Sequence, residues 1–224
     1  MTRTTTRQLQ AAMLAMTLCF GITGHAQDGN EDWRELQDSA RSHDWVQIRE
    51  DKLRNIRIFS KLEENSRIRS MKADAELNVS PEKILRTLMD FPGYTEWLWN
   101  LKDIRVLRQV SANEFFIHCT FQTPGGFPDR DVVLNVDIQT TADKHQTVIQ
   151  GVNSPEFLAP VKGVVRIPDM KLTIRIEEAG DRKSRFSSEL RVDPGGQVPL
   201  WAANFVQRRA PYATMLGLIR QLER

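Results

Sequence analysis

The stretch that decides the fold lies at the end of the chain, where residues 193–223 read DPGGQVPLWAANFVQRRAPYATMLGLIRQLE. It opens with a turn, because Asp-Pro-Gly-Gly supplies the residues that turns require. A helix over about 197–223 follows, with apolar side chains at the spacing of an amphipathic helix: Val198, Trp201, Ala202, Phe205, Tyr212, Leu216 and Ile219. We expect Pro199 in its first turn and a kink at Pro211, since an internal proline removes a backbone hydrogen bond.

Upstream of this helix the apolar residues recur with a period of two, which is typical of β-strands. In the segment 131–139, polar residues alternate with the apolar set Val132, Leu134, Val136 and Ile138. Such one-sided alternation predicts a sheet with one buried face and one face in water. Strands are predicted over 103–110, 113–122, 130–140, 145–152, 162–177 and 184–192.

The first half of the chain adds three strands and several short helices. Alternating residues between Trp45 and Val79, broken by two polar turns, indicate three antiparallel strands. Ser80-Pro81-Glu82 has the cap, the first-turn proline and the acid that begin a helix. A second short helix is expected over 93–100, and a polar helix over 28–42 is expected to cover the body.

These elements predict an α+β fold, in which one curved antiparallel sheet of about nine strands wraps around the long C-terminal helix. No linker and no internal repeat separates the chain into parts. Because one helix cannot fill a sheet of that size, the remaining volume is expected to be a cavity.

The charge composition argues against one class of function, nucleic-acid binding. The 224 residues carry 31 Lys and Arg against 29 Asp and Glu, a formal charge of +2. A nucleic-acid-binding surface needs a basic stripe that neutralises phosphates, so nucleic acid is not an expected partner.

Residues 1–26 resemble a secretory signal peptide. Arg3 and Arg7 precede an apolar run, and Gly24-His25-Ala26 offers small residues before a cut at Gln27. An uncleaved anchor or an unstructured N-terminus is the alternative. Removal of two arginines leaves 29 basic and 29 acidic residues in a domain over 27–224, which we expect in the periplasm. Cys119 is then its one cysteine, so no internal disulfide is possible.

Four motifs resemble those of the START domain (StAR-related lipid-transfer) family, in its bacterial form. The segment 124–133 (PGGFPDRDVV) is similar to a proline-rich motif of the family that ends in Arg-Asp, and 163–166 (GVVR) is similar to its Gly-x-x-Arg strand. The segment 193–201 (DPGGQVPLW) resembles the entry to the final helix of the family. Asp90, Tyr94 and Trp97 fit a further pattern. The resemblance covers about 45–223.

The resemblance implies a helix-grip fold with a hydrophobic tunnel for one lipid, opened by loops beside the C-terminal helix. By strand order those loops are 123–129 and 153–161. The first has two glycines between prolines, which favours mobility. The second is expected to expose Phe157 and Leu158 to a membrane or an acyl chain.

The candidate ligand-binding residues lie on one strand, on a gate loop and on the final helix. One face of strand 113–122 is expected to line the tunnel or the core, with Cys119 as a small apolar liner whose thiol stays protonated. The full set is Phe115, Ile117, Cys119, Phe121, Phe127, Arg130, Trp201 and Phe205.

Arg130 and Asp131 admit two interpretations. An inward-pointing charge is a polar anchor for a lipid headgroup, since a buried charge needs a partner. Alternatively the two residues form structural ion pairs, with each other or with Arg166.

The aromatic residues of the last helix and of segment 93–100 also admit two interpretations. Packing in the core is one, and a cage for a quaternary ammonium group is the other. The rings concerned are Trp97, Trp99, Trp201, Phe205 and Tyr212.

No catalytic, metal-binding or cofactor motif stands out, and His43, His118 and His145 have no ligand-like spacing. The expected function is therefore non-catalytic binding of one lipid or other hydrophobic molecule, with transfer through transient membrane contact. The alternatives are a helix-grip enzyme of the polyketide cyclase or aromatase type, and a ligand-loaded sensor that recruits a protein partner.

Overall fold

The computed structural model describes residues 43–64 and 69–224, apart from the side chains of Leu200, Trp201 and Asn204. The predicted signal segment 1–26 and the predicted helix 28–42 lie outside the described residues. No helix within the described ranges is long and apolar enough to cross a membrane.

Ten strands form one sheet. They are β1 Val46–Asp51, β2 Ile56–Leu62, β3 Arg69–Leu77, β4 Leu101–Gln109, β5 Glu114–Phe121, β6 Arg130–Thr140, β7 Gln146–Asn153, β8 Val165–Arg166, β9 Asp169–Glu178 and β10 Ser184–Asp193. The order across the sheet is β1-β2-β3-β10-β9-β7-β6-β5-β4, all antiparallel. The predicted sheet of about nine antiparallel strands is confirmed.

One predicted strand, 162–177, is wrong as a single element. It divides at Ile167 and Pro168, and its first part, β8, pairs in parallel with the start of β6. Pro168 has no N–H to donate to a ladder, which favours a break there. β8 continues along β6 where β7 has ended, since Asn153 lies opposite Leu134 while Val165 lies opposite Arg130.

Two α-helices and three 3₁₀ helices, two of them the short turns Pro124–Gly126 and Pro155–Phe157, complete the described fold. Helix α1 (Pro81–Met89) begins as predicted, with Ser80 as its cap. The predicted helix over 93–100 is instead a 3₁₀ helix at Phe91–Glu96. Helix α2 (Leu200–Leu222) begins three residues later than predicted, because Pro199 takes an extended conformation and stands at the cap position. It continues through Pro211 without a break.

The core lies between the inward face of the sheet, α1 and the C-terminal half of α2. Helix α2 packs against β2, β3 and α1. Its most buried side chains there are Met215, Leu218 and Leu222, whereas the predicted Leu216 and Ile219 are half-buried. Gly217 permits this packing, since a Cβ atom at that position would overlap the backbone carbonyl of Trp97.

The outer face of β6 departs from the predicted pattern. Asp131 was expected to face water, yet it is fully buried, as is Val133 on the same face. The reason is that segment 153–161 covers this part of the outer face while β8 extends the sheet beside it, and Ser154 donates its backbone N–H to the Val133 carbonyl. Farther along β6, Asn135 and Asp137 are half-exposed.

Candidate functional site

The connections β5–β6, β7–β9 and β10–α2 meet at one end of the sheet, which we call the loop end. The β1–β2 turn lies at the opposite end, where Ile56 pairs with Ala75 and Ala75 with Phe186. The gate loops 123–129 and 153–161 predicted from sequence therefore lie close together at the N-terminus of α2.

The predicted lining residues of β5 share the inward face, as expected. Phe115, Ile117 and Cys119 belong to the core and are 4–5% exposed. The Phe115 ring meets Phe91 edge to face, with ring centres 5.3 Å apart. Burial raises the pKa of the Cys119 thiol to about 12, so the thiol remains protonated and packs as an apolar group of the core.

Burial of the inward face decreases toward the loop end. Four apolar side chains there are only half-buried although they point inward: Phe121, Leu172, Leu190 and Val192. In the N-terminal half of α2, Ala202 is buried but Phe205 is half-buried, whereas Leu218 and Leu222 of the C-terminal half are almost inaccessible. The grip of the sheet on α2 is therefore tight at the C-terminal half of the helix and looser at the loop end.

Loop 123–129 is held to the sheet by Arg130. The Nη1 atom of Arg130 donates to the Thr123 hydroxyl (3.1 Å) and to the Pro128 carbonyl (2.7 Å). Gly125 and Gly126 have φ of 80° and 76°, a region that glycine adopts without strain. Phe127 is half-buried in this loop.

Segment 153–161 lies against the outer face of β5 and β6. The Phe157 ring stacks on Phe116 at 3.9 Å, so Phe157 and Leu158 are half-buried and not exposed as predicted. Arg166 donates from Nη1 to the carbonyls of Pro155 and Leu158, at 3.0 and 2.9 Å. These contacts fasten the segment to the sheet.

Asp131 forms a structural ion pair with Arg166, which was one of the two interpretations. The Nε and Nη2 atoms of Arg166 reach the two Asp131 oxygens at 3.0 and 2.9 Å. His118 Nε2 lies 2.8 Å from the same carboxylate. Burial alone raises the pKa of Asp131, but the hydrogen bonds from Arg166 and His118 outweigh it and leave the pKa below its ordinary value.

His118 is a buried residue of this site to which the sequence analysis gave no role. Arg105 Nη2 lies 3.1 Å from its Nδ1. Since arginine can only donate, Nδ1 accepts and the ring proton sits on Nε2, facing Asp131. The feature that reveals His118 is the strand register. His118 lies opposite Val133 and therefore on the outer face, which is also the face of Asp131. Among the described residues, no group of three potential metal ligands exists.

The aromatic residues weighed as a cage do not pair with one another among the described rings. Tyr94 packs against Trp97 at 4.6 Å, and Arg209 covers the Phe205 ring at 4.7 Å. The side chain of Trp201 lies outside the described residues, so its predicted role stays a prediction.

Tyr212 joins the middle of α2 to the first strand. Its hydroxyl donates to Asp51 Oδ2 (2.6 Å), and the Arg49 guanidinium lies 3.6 Å from its ring centre. The hydrogen bonds from Tyr212 and Arg54 lower the pKa of Asp51 to about 2. The helix is thereby tethered one residue after Pro211.

Comparisons with known proteins agree with this architecture. An uncharacterized Pseudomonas aeruginosa protein is 24% identical over 211 residues, covering 94% of this chain and 95% of its own. The mouse phosphatidylcholine transfer protein is 26% identical over 134 residues, which are 58% of this chain and 61% of that protein.

Among solved structures, a fragment of a STAR-related lipid transfer protein from Xanthomonas axonopodis has a TM-score of 0.73 at 20% identity. The match covers 80% of this chain and 99% of that fragment. The predicted helix-grip fold is thus confirmed. The START domain model matches residues 30–212, so the chain belongs to the START domain family.

Proposed function

We propose that this START domain binds one lipid or other hydrophobic molecule between the inward face of its sheet and α2. It carries that molecule through water between membranes and catalyses no reaction on it. Family membership supports the binding of a hydrophobic ligand. The relatives named as lipid or phosphatidylcholine transfer proteins support transfer.

The observation that carries the proposal is the change in burial along the inward face. Core side chains such as Ile117 and Val132 are inaccessible, whereas Phe121, Leu172 and Leu190 keep accessible apolar surface. Apolar surface that faces inward and stays accessible is stabilised by an apolar occupant. Each methylene group removed from water contributes about 0.8 kcal/mol, so one acyl chain suffices for strong binding.

Loop 123–129 is the part of the proposed gate best suited to move. It is attached at its two ends, by the two hydrogen bonds from Arg130, by the Lys102–Asp129 ion pair and by the Val165 N–H on the Asp129 carbonyl, and its two central glycines accept changed backbone angles. Segment 153–161 is held by the Arg166 bonds and by the Phe157–Phe116 stack. We therefore assign the opening motion to 123–129 and a framing role to 153–161.

The test is native mass spectrometry of the protein purified from its own host without detergent. We expect one bound molecule per chain, which organic solvent extracts unchanged. A bare polypeptide mass, together with no binding of fluorescent lipids, would overturn the proposal. An extracted molecule that the protein alters on incubation would favour the enzyme instead. A lipid that never exchanges with vesicles would favour the sensor.

We further propose that the domain works in the periplasm after removal of residues 1–26. The support is the sequence of that segment, with its two arginines, its apolar run and its small residues before Gln27.

A further inference from the structure

Arg130 is a buried cation on the inward face of the sheet. It is 6% exposed and shares the face of Val132 and Leu134, both of which belong to the core. It lies in register opposite Phe121, at the loop end of β5. Apart from Thr140 at the far end of β6, the other inward positions of β5 and β6 are apolar, so one positive charge lies at the loop end of an apolar row.

The charge of Arg130 has no carboxylate within 4 Å among residues 43–64 and 69–224. Arg130 donates to the Thr123 hydroxyl and to the Pro128 carbonyl, which are both neutral. The acids on either side of it in sequence are engaged elsewhere. Asp129 pairs with Lys102 at 2.6 Å, and Asp131 points to the outer face and pairs with Arg166.

Arg166 shows how this protein treats a comparable charge. Both arginines donate hydrogen bonds to loop carbonyl groups. They are close in the β6–β8 pair, since Arg166 lies opposite Asp131, the residue that follows Arg130. Arg166 is neutralised by a bidentate pair with Asp131, whereas both bonds of Arg130 come from Nη1. Burial lowers the pKa of Arg130, which reflects the cost of an uncompensated charge.

We propose that Arg130 binds the acidic headgroup of the ligand, a phosphate or a carboxylate, while the tail lies against Phe121, Leu172 and Leu190, the inward apolar side chains that keep accessible surface. This inference rests on the proposed function and adds to it the charge and the direction of the occupant. Arginine offers two parallel N–H groups that match the oxygens of either acid. The headgroup then sits behind loop 123–129, which Arg130 also holds.

The test compares acids with their neutral counterparts in competition against a fluorescent apolar probe. Oleic acid is matched with methyl oleate, and phosphatidic acid with diacylglycerol. For at least one pair we expect the acid to bind about 10- to 100-fold more tightly, as a hydrogen-bonded charge contributes. The pair that shows the preference tells a carboxylate head from a phosphate head.

Two variants assign the preference to Arg130. Arg130→Gln should bind acid and neutral ligand with equal affinity. Arg175→Gln removes one positive charge from the outer face, where Arg175 pairs with Glu189, and should keep the preference. Should Arg130→Gln fail to fold, Arg130→Lys replaces it and should retain a several-fold preference for the acid.

The outcomes separate this inference from the proposed function. Equal binding of acid and neutral ligand by the natural protein would overturn the role of Arg130 and leave hydrophobic binding intact. An unchanged acid preference in Arg130→Gln, or its loss in Arg130→Lys, would also overturn that role. Binding of neither class by the natural protein would overturn the proposed function itself.

Discussion

At the scale of single residues, the buried carboxylate of Asp131 organises the loop end. It is fully buried, and it receives Arg166 and His118 on the outer face of β6. Arg166 in turn holds the carbonyls of segment 153–161. One side chain thus connects the sheet, a buried imidazole and a loop that frames the proposed gate.

Replacement of this carboxylate should be costly. Asp131→Asn leaves Arg166 without its counter-charge, and we expect the free energy of unfolding to fall by about 3 kcal/mol. Urea denaturation at neutral pH measures the loss. The control is Asp137→Asn, a half-buried position on the same face of β6. Equal losses in the two variants would contradict the role given to Asp131.

Asp131 also predicts that the stability of the fold decreases at low pH. The pKa of Asp131 in the folded protein lies below its ordinary value of 3.8. Its stabilisation is therefore complete above about pH 4 and is lost as the pH falls through the lowered folded-state pKa. Melting temperatures between pH 5 and pH 2 should fall less steeply in Asp131→Asn than in the natural protein. Parallel curves would contradict this prediction.

At the scale of elements, helix α2 has two differently packed halves. The C-terminal half is buried by Met215, Leu218 and Leu222, and it approaches the 3₁₀ segment so closely that Gly217 lies against the Trp97 carbonyl. In the N-terminal half, most of the described side chains are only half-buried.

The close approach at Gly217 is directly testable. Gly217→Ala places a methyl group where the Trp97 backbone already lies, so we expect a loss of about 2 kcal/mol despite the higher helix propensity of alanine. Thermal unfolding followed by circular dichroism measures it. Arg220→Ala, at an exposed position of the same helix, should change stability little. If Gly217→Ala were as stable as that control, the close contact between α2 and the Trp97 carbonyl would be contradicted.

Loop 123–129 supplies the second prediction at this scale. Phe127→Asp should slow lipid transfer between vesicles about tenfold, since a charge replaces apolar contact with the membrane, and should leave the melting temperature nearly unchanged. Fluorescent lipid transfer measures the rate. Leu53→Asp is the matched control, because Leu53 is 85% exposed in the turn at the opposite end of the sheet. A natural transfer rate in Phe127→Asp would remove this loop from the gate.

At the scale of the whole molecule, the repetitive parts of the fold were predictable from the sequence. Strands such as Arg130–Thr140 alternate over enough residues to fix type and bounds, and Ser80-Pro81 marks a helix start by local chemistry alone. Pairing between distant segments could not be predicted from the sequence. The cover over Asp131, the break of strand 162–177 and the burial of His118 each depend on how loops return to the sheet.

The residues of the candidate site also divide into those that local sequence predicts and those that depend on long-range contacts. Alternation placed Phe115, Ile117 and Cys119 on one inward face, because a strand turns every second side chain to the same side. Arg130 and Asp131 have different partners in the fold, because these partners come from segments distant in sequence or from the loop conformation. The ion pair with Arg166 was foreseen as one of two possibilities, and nothing in the sequence chose between them.

The processing of the whole chain gives a last prediction. Expression with the natural N-terminus in a Gram-negative host should yield periplasmic protein whose first residue is Gln27, because a signal peptidase cuts after small residues. Cell fractionation and N-terminal sequencing measure this. Protein that stays in the cytoplasm with Met1 intact would contradict it, and a truncated chain starting at Gln27 is the size control.

The tether of Tyr212 to Asp51 makes α2 a lever. The fulcrum stands beside Pro211, where the backbone lacks one internal hydrogen bond. The buried C-terminal segment is the fixed arm, and the N-terminal arm, of about the same length, extends roughly 16 Å to the loop end. A tilt at the fulcrum displaces the N-terminal end of α2 at the loop end, so the rest of the domain can stay rigid while that end moves.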